Sequence, residues 1–219
     1  PGRGGAGATA TVTLAPANDS PTLTAGGGSP TFTEDGPPVA VDPGLVVADG
    51  DDTSLESATV TITNLLDTGA ETLAASTGGT SIVASYVAPT LTLTGTDTLA
   101  SYQAVLRSVT YANSSQNPGV APRSVAFVAN DGTAGSNTAT TLVNVAPVDD
   151  APVLAAGGGP RTFTEDGPPL IVDGGLAVTD VDDTNLESAT VTITNLLATG
   201  AEILAVPDPR DSTSNPRPA

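Results

Sequence analysis

Clustered acidic residues are the side chains of this sequence best suited to chemistry, and the chemistry that they suit is cation binding. Two loops share a D-x-D-D pattern, with the aspartates Asp49, Asp51 and Asp52 in the first and Asp180, Asp182 and Asp183 in the second. Such spacing lets one tight loop aim two or three carboxylates at a single point, and calcium accepts roughly six to eight oxygen ligands. Without a cation, each like-charge pair at ~4 Å and an effective dielectric of ~20 would cost about 4 kcal/mol.

Further acids stand where they could complete a ligand shell between neighbouring segments. Glu34 and Asp35 belong to the turn TFTEDGPP, and Asp149 and Asp150 belong to the segment VAPVDDAPVL. One acidic loop rarely supplies enough oxygens for calcium, whereas a junction can pool several. The alternative is that these residues are solvated turn acids, because Asp and Gly are ordinary turn residues. We predict calcium as the cofactor, with Asp131 of the NDG turn as a further candidate ligand.

Charge and composition exclude several classes of function. The 219 residues include 24 acids and 6 bases, all of them arginine, for a formal charge of −18. This charge repels nucleic acid and anionic membranes and attracts cations, although an acidic soluble or salt-adapted surface would have the same balance. Cysteine, histidine and lysine are absent. Disulfides, zinc sites built on histidine or thiolate, Ser-His-Asp triads and Schiff-base chemistry are therefore excluded.

A long stretch that occurs twice organises the rest of the chain. Residues 31–73 and 162–204 are identical at 34 of 43 positions with a constant offset of 131, which is the signature of a tandem array. The predicted parts are the last strand of a preceding repeat with its linker (1–19), a complete repeat (20–150), a partial repeat (151–204) and a disordered Pro-rich tail (205–219). Because the first residue is Pro1, we expect a piece of a longer protein.

Short alternating segments separated by Gly and Pro predict strands through most of the complete repeat. The clearest is SATVTITN at 57–64, where apolar residues occupy alternate positions. A helical spacing interrupts this pattern and predicts a short helical crossover at 98–106, which Asp97 or Thr98 would cap. The predicted fold class is all-β, an antiparallel Greek-key β-sandwich of the immunoglobulin-like kind, in tandem repeats of about 131 residues.

The order of these segments resembles a known family of repeats. TFTEDGPP, VxDxDD, TLTLTGTDTLASYQAVLRSVTYANSSQNPG, SVAFVANDG and VAPVDDAPVL follow one another as in the cadherin-like repeats of large bacterial and protist surface proteins. The resemblance covers residues 20–154 and, as a partial copy, 155–204, and its linkers ANDS and VDDA depart from the cadherin DxND pattern. It implies an extracellular sandwich strung in arrays, with calcium at the junctions. The ligands that it implies are an upstream-strand glutamate, two linker acids and two loop aspartates, which are Glu34, Asp149, Asp150, Asp180 and Asp182.

These features predict a non-enzymatic extracellular module that acts as a calcium-stiffened spacer or adhesive stalk at the cell surface. The expected partners are neighbouring repeats of the same parent protein, and homophilic or surface-glycan adhesion is also open. Neither a nucleic-acid partner nor membrane insertion is expected. The alternative is a carbohydrate- or protein-binding module with specificity in its loops, which an exposed aromatic cluster would favour. With three Phe and three Tyr, the sequence shows no such cluster.

Overall fold

The protein is mostly β, and the computed structural model describes residues 1–2, 7, 9–13, 15, 17–197 and 201–206. The first strands are β1 (Thr22–Thr24), β2 (Thr31–Thr33), β3 (Val39–Ala40), β4 (Val46–Ala48), β5 (Ser54–Ile62), β6 (Glu71–Ala74), β7 (Val83–Val87) and β8 (Thr90–Thr98). After helix α1 (Leu99–Arg107) come β9 (Thr110–Asn113), β10 (Arg123–Asn130), β11 (Ala139–Ala146), β12 (Val153–Ala155) and β13 (Ala177–Thr179). No helix among the described residues is long and apolar enough to cross a membrane.

The strands of residues 20–150 form a six-stranded, a three-stranded and a two-stranded sheet. Their orders are β2-β11-β10-β5-β8-β7, β3-β9-β6 and β1-β4. All of these neighbours are antiparallel except β2 and β11, which run in parallel with Thr31 opposite Asn144. The prediction of a wholly antiparallel arrangement is therefore wrong at this edge. Parallel pairing needs a long connection, and residues 34–138 supply it.

The core follows from alternation along the strands. In β5 the apolar residues at every second position are buried, and Val60 lies opposite Phe127 of β10. Successive side chains of a strand point to opposite faces, so this pattern buries one face of the sheet. Phe32 meets Tyr111 edge-to-face, with ring centroids 5.6 Å apart. Val, Leu and Ile supply most of the other buried side chains, as the scarcity of aromatic residues predicts.

The helix predicted at 98–106 is confirmed at Leu99–Arg107. Thr98 is its N-cap, and the Thr98 hydroxyl accepts a hydrogen bond from the backbone N–H of Ser101 at 3.1 Å. This bond satisfies one of the donors that the first helical turn leaves unpaired. Tyr102 and Leu106, four residues apart, are buried in the core, and the Tyr102 hydroxyl donates to the carbonyl of Gly95 at 2.7 Å.

A buried ionic network joins β6 to β10. The Arg123 side chain is fully buried, and its guanidinium contacts the carboxylate of Glu71 and lies 2.6 Å from that of Asp67. Tyr111 donates its hydroxyl proton to Glu71 at 2.8 Å. Burial by itself would lower the pKa of Arg123, but the hydrogen bond to Glu71 and the surrounding negative groups raise it. The cation is thus held charged inside the fold.

The second copy of the repeated sequence preserves local contacts of the first. β12 and β13 pair Val153 with Thr179, which repeats the pairing of Thr22 with Ala48 between β1 and β4. The chain divides into two compact units, Pro1–Asp182 and Asp183–Ala219. In the second unit Glu202 accepts the N–H of Leu197 at 3.0 Å, just as Glu71 accepts that of Leu66 at 3.0 Å.

Two sequence predictions concern the ends of the chain. A strand was expected within residues 1–19, but residues 9–13 are exposed and form no strand. Positions 8, 14 and 16 of that segment lie outside the described residues. The predicted disordered tail, 205–219, likewise falls outside them from residue 207 onward.

Candidate metal centres

The first acidic loop connects β4 to β5 and brings three carboxylates together. One oxygen from each of Asp49, Asp51 and Asp52 lies within 4.8 Å of the others. Oδ1 of Asp49 accepts the backbone N–H groups of Asp51 at 3.2 Å and Asp52 at 3.1 Å. These bonds hold the loop in a tight turn and fix the orientation of the Asp49 carboxylate. Oδ2 of Asp49 is buried and has no hydrogen-bond partner among the described residues.

The segment before β1 is attached to this loop. The backbone N–H of Asp19 donates to Oδ1 of Asp51 at 3.1 Å, and the Asn18 amide donates to Oδ2 of Asp131 at 2.9 Å. Residue 50 is Gly, and a Cβ there would lie 3.1 Å from the Asp19 carboxylate. The loop, the preceding segment and the turn after β10 therefore meet at one place.

Electrostatic repulsion within this first cluster acts most clearly on Asp52. Burial, followed by the charges of Asp51, Asp49 and Asp131, raises the pKa of Asp52 above its ordinary value. Asp131 behaves differently, because the N–H of Ala134 and the amide of Asn18 lower its pKa. A carboxylate whose pKa is raised by like charges gains from a cation that neutralises them.

The second acidic loop repeats this arrangement 131 residues later. The backbone N–H of Asp150 donates to Oδ2 of Asp182 at 3.0 Å, and the N–H of Asp182 donates to Oδ1 of Asp180 at 3.4 Å. Asn117 donates its amide to the carbonyl of Val181 at 3.0 Å, which attaches the loop to the segment after β9. The positions equivalent to Asp150, Asp182 and Asp180 in the first centre are Asp19, Asp51 and Asp49.

The turn after β2 adds two acids near the second loop. Glu34 is only 3% exposed; its Oε2 accepts the N–H of Val148 at 2.8 Å, and its Oε1 has no hydrogen-bond partner among the described residues. Asp35 has φ 57°, and its Oδ1 accepts the amide of Gln116 at 2.9 Å. Glu34 thereby lies against the chain two residues before Asp150.

The charges of the neighbouring acids act together on Asp150. Burial raises its pKa first, followed by the charges of Asp182, Asp35, Asp180 and Asp149. Oδ2 of Asp150 is buried and lacks a hydrogen-bond partner in the described part of the chain. Buried oxygens of this kind cost free energy unless a donor or a cation satisfies them. Hard oxygen ligands from carboxylates and carbonyls are the set that calcium prefers.

The structure places the predicted ligands in two groups. Asp49, Asp51 and Asp52 form the first centre, and Asp35, Asp150, Asp180 and Asp182 lie together in the second. Glu34 is connected to the second centre by the hydrogen bond that its carboxylate accepts from the backbone N–H of Val148. Asp149 is exposed, and its charge acts on the neighbouring Asp150. Asp183 is exposed and belongs to the second compact unit.

Two residues of the first centre, Asn18 and Asp19, are absent from the predicted set. The offset of 131 was the signal that could have found Asp19, because it maps Asp150 onto Asp19. Gln116 and Asn117 carry no comparable signal, since neither belongs to an acidic cluster.

No protein-family model, curated protein or solved structure matches this chain. The chemistry of the two centres therefore rests on their own geometry.

Proposed function

We propose that this chain is a non-enzymatic, extracellular repeat module in which calcium stiffens the joints between tandem Greek-key β-sandwiches. The cadherin-like order of motifs and the offset of 131 between the two copies support the tandem arrangement. The protein would serve as a spacer or adhesive stalk at a cell surface. Its partners would be neighbouring repeats of the parent protein, with homophilic or glycan adhesion at exposed faces.

The observation that carries the proposal is a pair of buried carboxylate oxygens in the second centre that have no hydrogen-bond donor in the part of the chain that the structure describes. They are Oε1 of Glu34 and Oδ2 of Asp150. Folding a carboxylate into such a position is unfavourable unless a cation offsets the lost hydration. A divalent cation would offset it for several carboxylates at once, and it would counteract both the burial and the repulsion that raise the pKa of Asp150.

Stiffening follows from where these ligands lie in the sequence. Glu34 and Asp35 belong to residues 20–150, Asp150 belongs to the linker, and the loop at 180–182 belongs to the second copy. A cation bound by all three segments would hold them at fixed separations. Without the cation, repulsion among the same groups favours greater separation. Calcium would therefore convert a flexible joint into a rigid one.

Calcium titration by calorimetry on the 219-residue chain, together with thermal unfolding, tests this proposal. Calcium at 100 times its dissociation constant should stabilise the folded chain by about 2.7 kcal/mol at each site that unfolding destroys. Magnesium should stabilise less, because it sheds its water reluctantly and demands octahedral geometry. Equal unfolding curves in saturating calcium and in chelator would reject the proposal.

Single substitutions separate specific ligation from general electrostatics. Asp182→Asn should weaken binding at the second centre, and Asp51→Asn should weaken it at the first. Asp97→Asn is the matched control: Asp97 accepts the N–H groups of Ser81 at 2.7 Å and Thr98 at 2.8 Å, outside both clusters. It removes the same charge and should leave both affinities unchanged. An equal loss in all three variants would indicate a charge effect without a site.

A further inference from the structure

The segment between β9 and β10 reaches the second centre with two adjacent side chains. We call residues 113–119 the bridging loop. The Asn117 amide donates to the carbonyl of Val181 at 3.0 Å, and the Gln116 amide donates to Oδ1 of Asp35 at 2.9 Å. Asp35 belongs to the turn after β2, and Val181 belongs to the acidic loop of the second copy. The tip of the bridging loop therefore contacts two of the three segments that build the second centre.

The base of the bridging loop is attached to the buried ionic network. Asp67 accepts the side-chain amide of Asn113 at 2.7 Å and the backbone N–H of Gly119 at 3.2 Å. The guanidinium of Arg123 donates to the carbonyl of Gly119 at 2.7 Å and lies 2.6 Å from the carboxylate of Asp67. Both ends of the bridging loop are thus held by one carboxylate, and that carboxylate is paired with a fully buried cation.

Local bonds restrict the bridging loop between its base and its tip. The N–H of Ser115 donates to Oδ1 of Asn113 at 2.9 Å, and the N–H of Asn117 donates to the hydroxyl of Ser115 at 3.2 Å. Pro118 is buried, and its ring fixes φ at about −65°. A restricted loop loses little conformational entropy when its tip makes a contact. Its side chains can therefore orient the groups to which they bond.

We propose that the bridging loop preorganises the second centre, and that Asn117 is the residue that positions the acidic loop at 180–182 before calcium binds. This inference rests on the proposed function, because it takes calcium as the ion of that centre. Val181 is the middle residue of the acidic loop, so its bond to Asn117 holds the backbone that carries both aspartates. A loop that is already in place loses less entropy on binding, and the affinity is higher for that reason. The buried Oε1 of Glu34, which has no hydrogen-bond donor in the described part of the chain, is a further ligand for the ion in the same centre.

Nuclear magnetic resonance of the isotopically labelled chain tests the proposal, because backbone amides report on each centre separately. The Asp150 amide donates to the carboxylate of Asp182 in the second centre, and the Asp19 amide donates to that of Asp51 in the first. Asn117→Leu keeps a similar size and removes the amide donor. In chelator it should speed hydrogen exchange of the Asp150 amide about fivefold, the effect of one neutral hydrogen bond. In a calcium titration it should raise the dissociation constant of the second centre by about the same factor and leave that of the first centre unchanged.

Asn144→Leu is the matched control for the loss of an amide. The Asn144 side chain also donates to a backbone carbonyl, that of Ser29 at 3.3 Å, and neither residue belongs to the two centres. This variant should change neither the exchange of the Asp150 amide nor either dissociation constant.

Asp67→Asn tests the attachment of the bridging loop at its base. It replaces one accepting oxygen with a donor, so it should weaken calcium binding at the second centre in the same direction as Asn117→Leu. The double variant should raise the dissociation constant by less than the product of the two single factors, because both residues act through one loop. A dissociation constant unchanged by Asp67→Asn would refute the role of the base.

The outcomes separate this inference from the proposed function. A wild-type chain whose amides at both centres do not respond to calcium rejects the proposed function and, with it, the role of Asn117 at a calcium centre. A wild-type chain that binds calcium at the second centre, together with an Asn117→Leu variant of equal affinity and equal exchange at Asp150, overturns the inference alone. Equal effects of Asn117→Leu and Asn144→Leu would reflect a general loss of stability and would also overturn it.

Discussion

Replacing Arg123 with methionine should strongly destabilise residues 20–150. Methionine has a similar length and fills the space, so the change isolates the charge. It leaves Glu71 buried, 1% exposed, with the Tyr111 hydroxyl at 2.8 Å and the Leu66 N–H at 3.0 Å as its closest donors. Removing one partner of a buried ion pair costs about 3–5 kcal/mol. This is a large part of the roughly 5–15 kcal/mol that holds a folded domain together.

Urea unfolding followed by far-ultraviolet circular dichroism measures this cost. The double variant Arg123→Met with Glu71→Gln removes both of these charges. It should be less destabilised than the sum of the two single variants, because each single variant leaves one charge of the pair buried without its partner and the double variant does not. Arg161→Met is the control: Arg161 is exposed, and its loss should change the free energy of unfolding by no more than about 0.5 kcal/mol. A cost below about 1 kcal/mol for Arg123→Met would equal that of an exposed pair. Such a result would refute the buried network.

Two further predictions concern single residues. Burial and then the charges of neighbouring aspartates raise the pKa of Asp52. The protonated side chain is therefore compatible with the fold at low pH, and the folded state loses stability as the pH rises through the folded-state pKa and Asp52 becomes charged. Asp52→Asn should therefore raise the calcium-free melting temperature at pH 7, with the gain fading toward about pH 4; an unchanged gain across that range would exclude the electrostatic cause. Gly95 has φ +121°, and a Cβ would lie 2.4 Å from the backbone oxygen of Ser81, so Gly95→Ala should cost about 1–3 kcal/mol in urea unfolding. Gly78→Ala, where no atom of the described residues lies within 4 Å of the added Cβ, should be nearly neutral, and equal costs would contradict the steric reason.

Local sequence patterns predicted the local structure well. Alternation along 57–64 placed the buried face of β5, and the helical spacing with Thr98 as a cap placed α1 within one residue at each end. The D-x-D-D spacing predicted that the carboxylates of the first acidic loop can point to one place, and one oxygen of each of the three aspartates lies within 4.8 Å of the others. In each case the determining interactions lie within a few residues of one another, where periodicity and turn chemistry act.

Local sequence patterns did not predict the contacts between residues that are far apart in the sequence. Arg123 and Glu71 are 52 residues apart, and nothing near either position indicates a buried ionic contact. The parallel pairing of β2 with β11 depends on where the whole chain returns to the sheet. In the second centre, Gln116 and Asn117 contribute through a segment that only the tertiary fold brings to Asp35 and Val181.

The parallel pair at the edge of the large sheet also determines how residues 20–150 would respond to mechanical tension. β2 comes early in this segment and β11 comes at its end, and the two strands are bonded side by side from Thr31–Asn144 to Thr33–Ala146. When the two ends are pulled apart along the strands, parallel neighbours slide past each other, so their hydrogen bonds are loaded together in shear. In an antiparallel pair pulled from one end, the bonds would open one after another. A chain pulled from both ends would thus meet its main resistance at β2 and β11, before the load reaches the interior of the sheet.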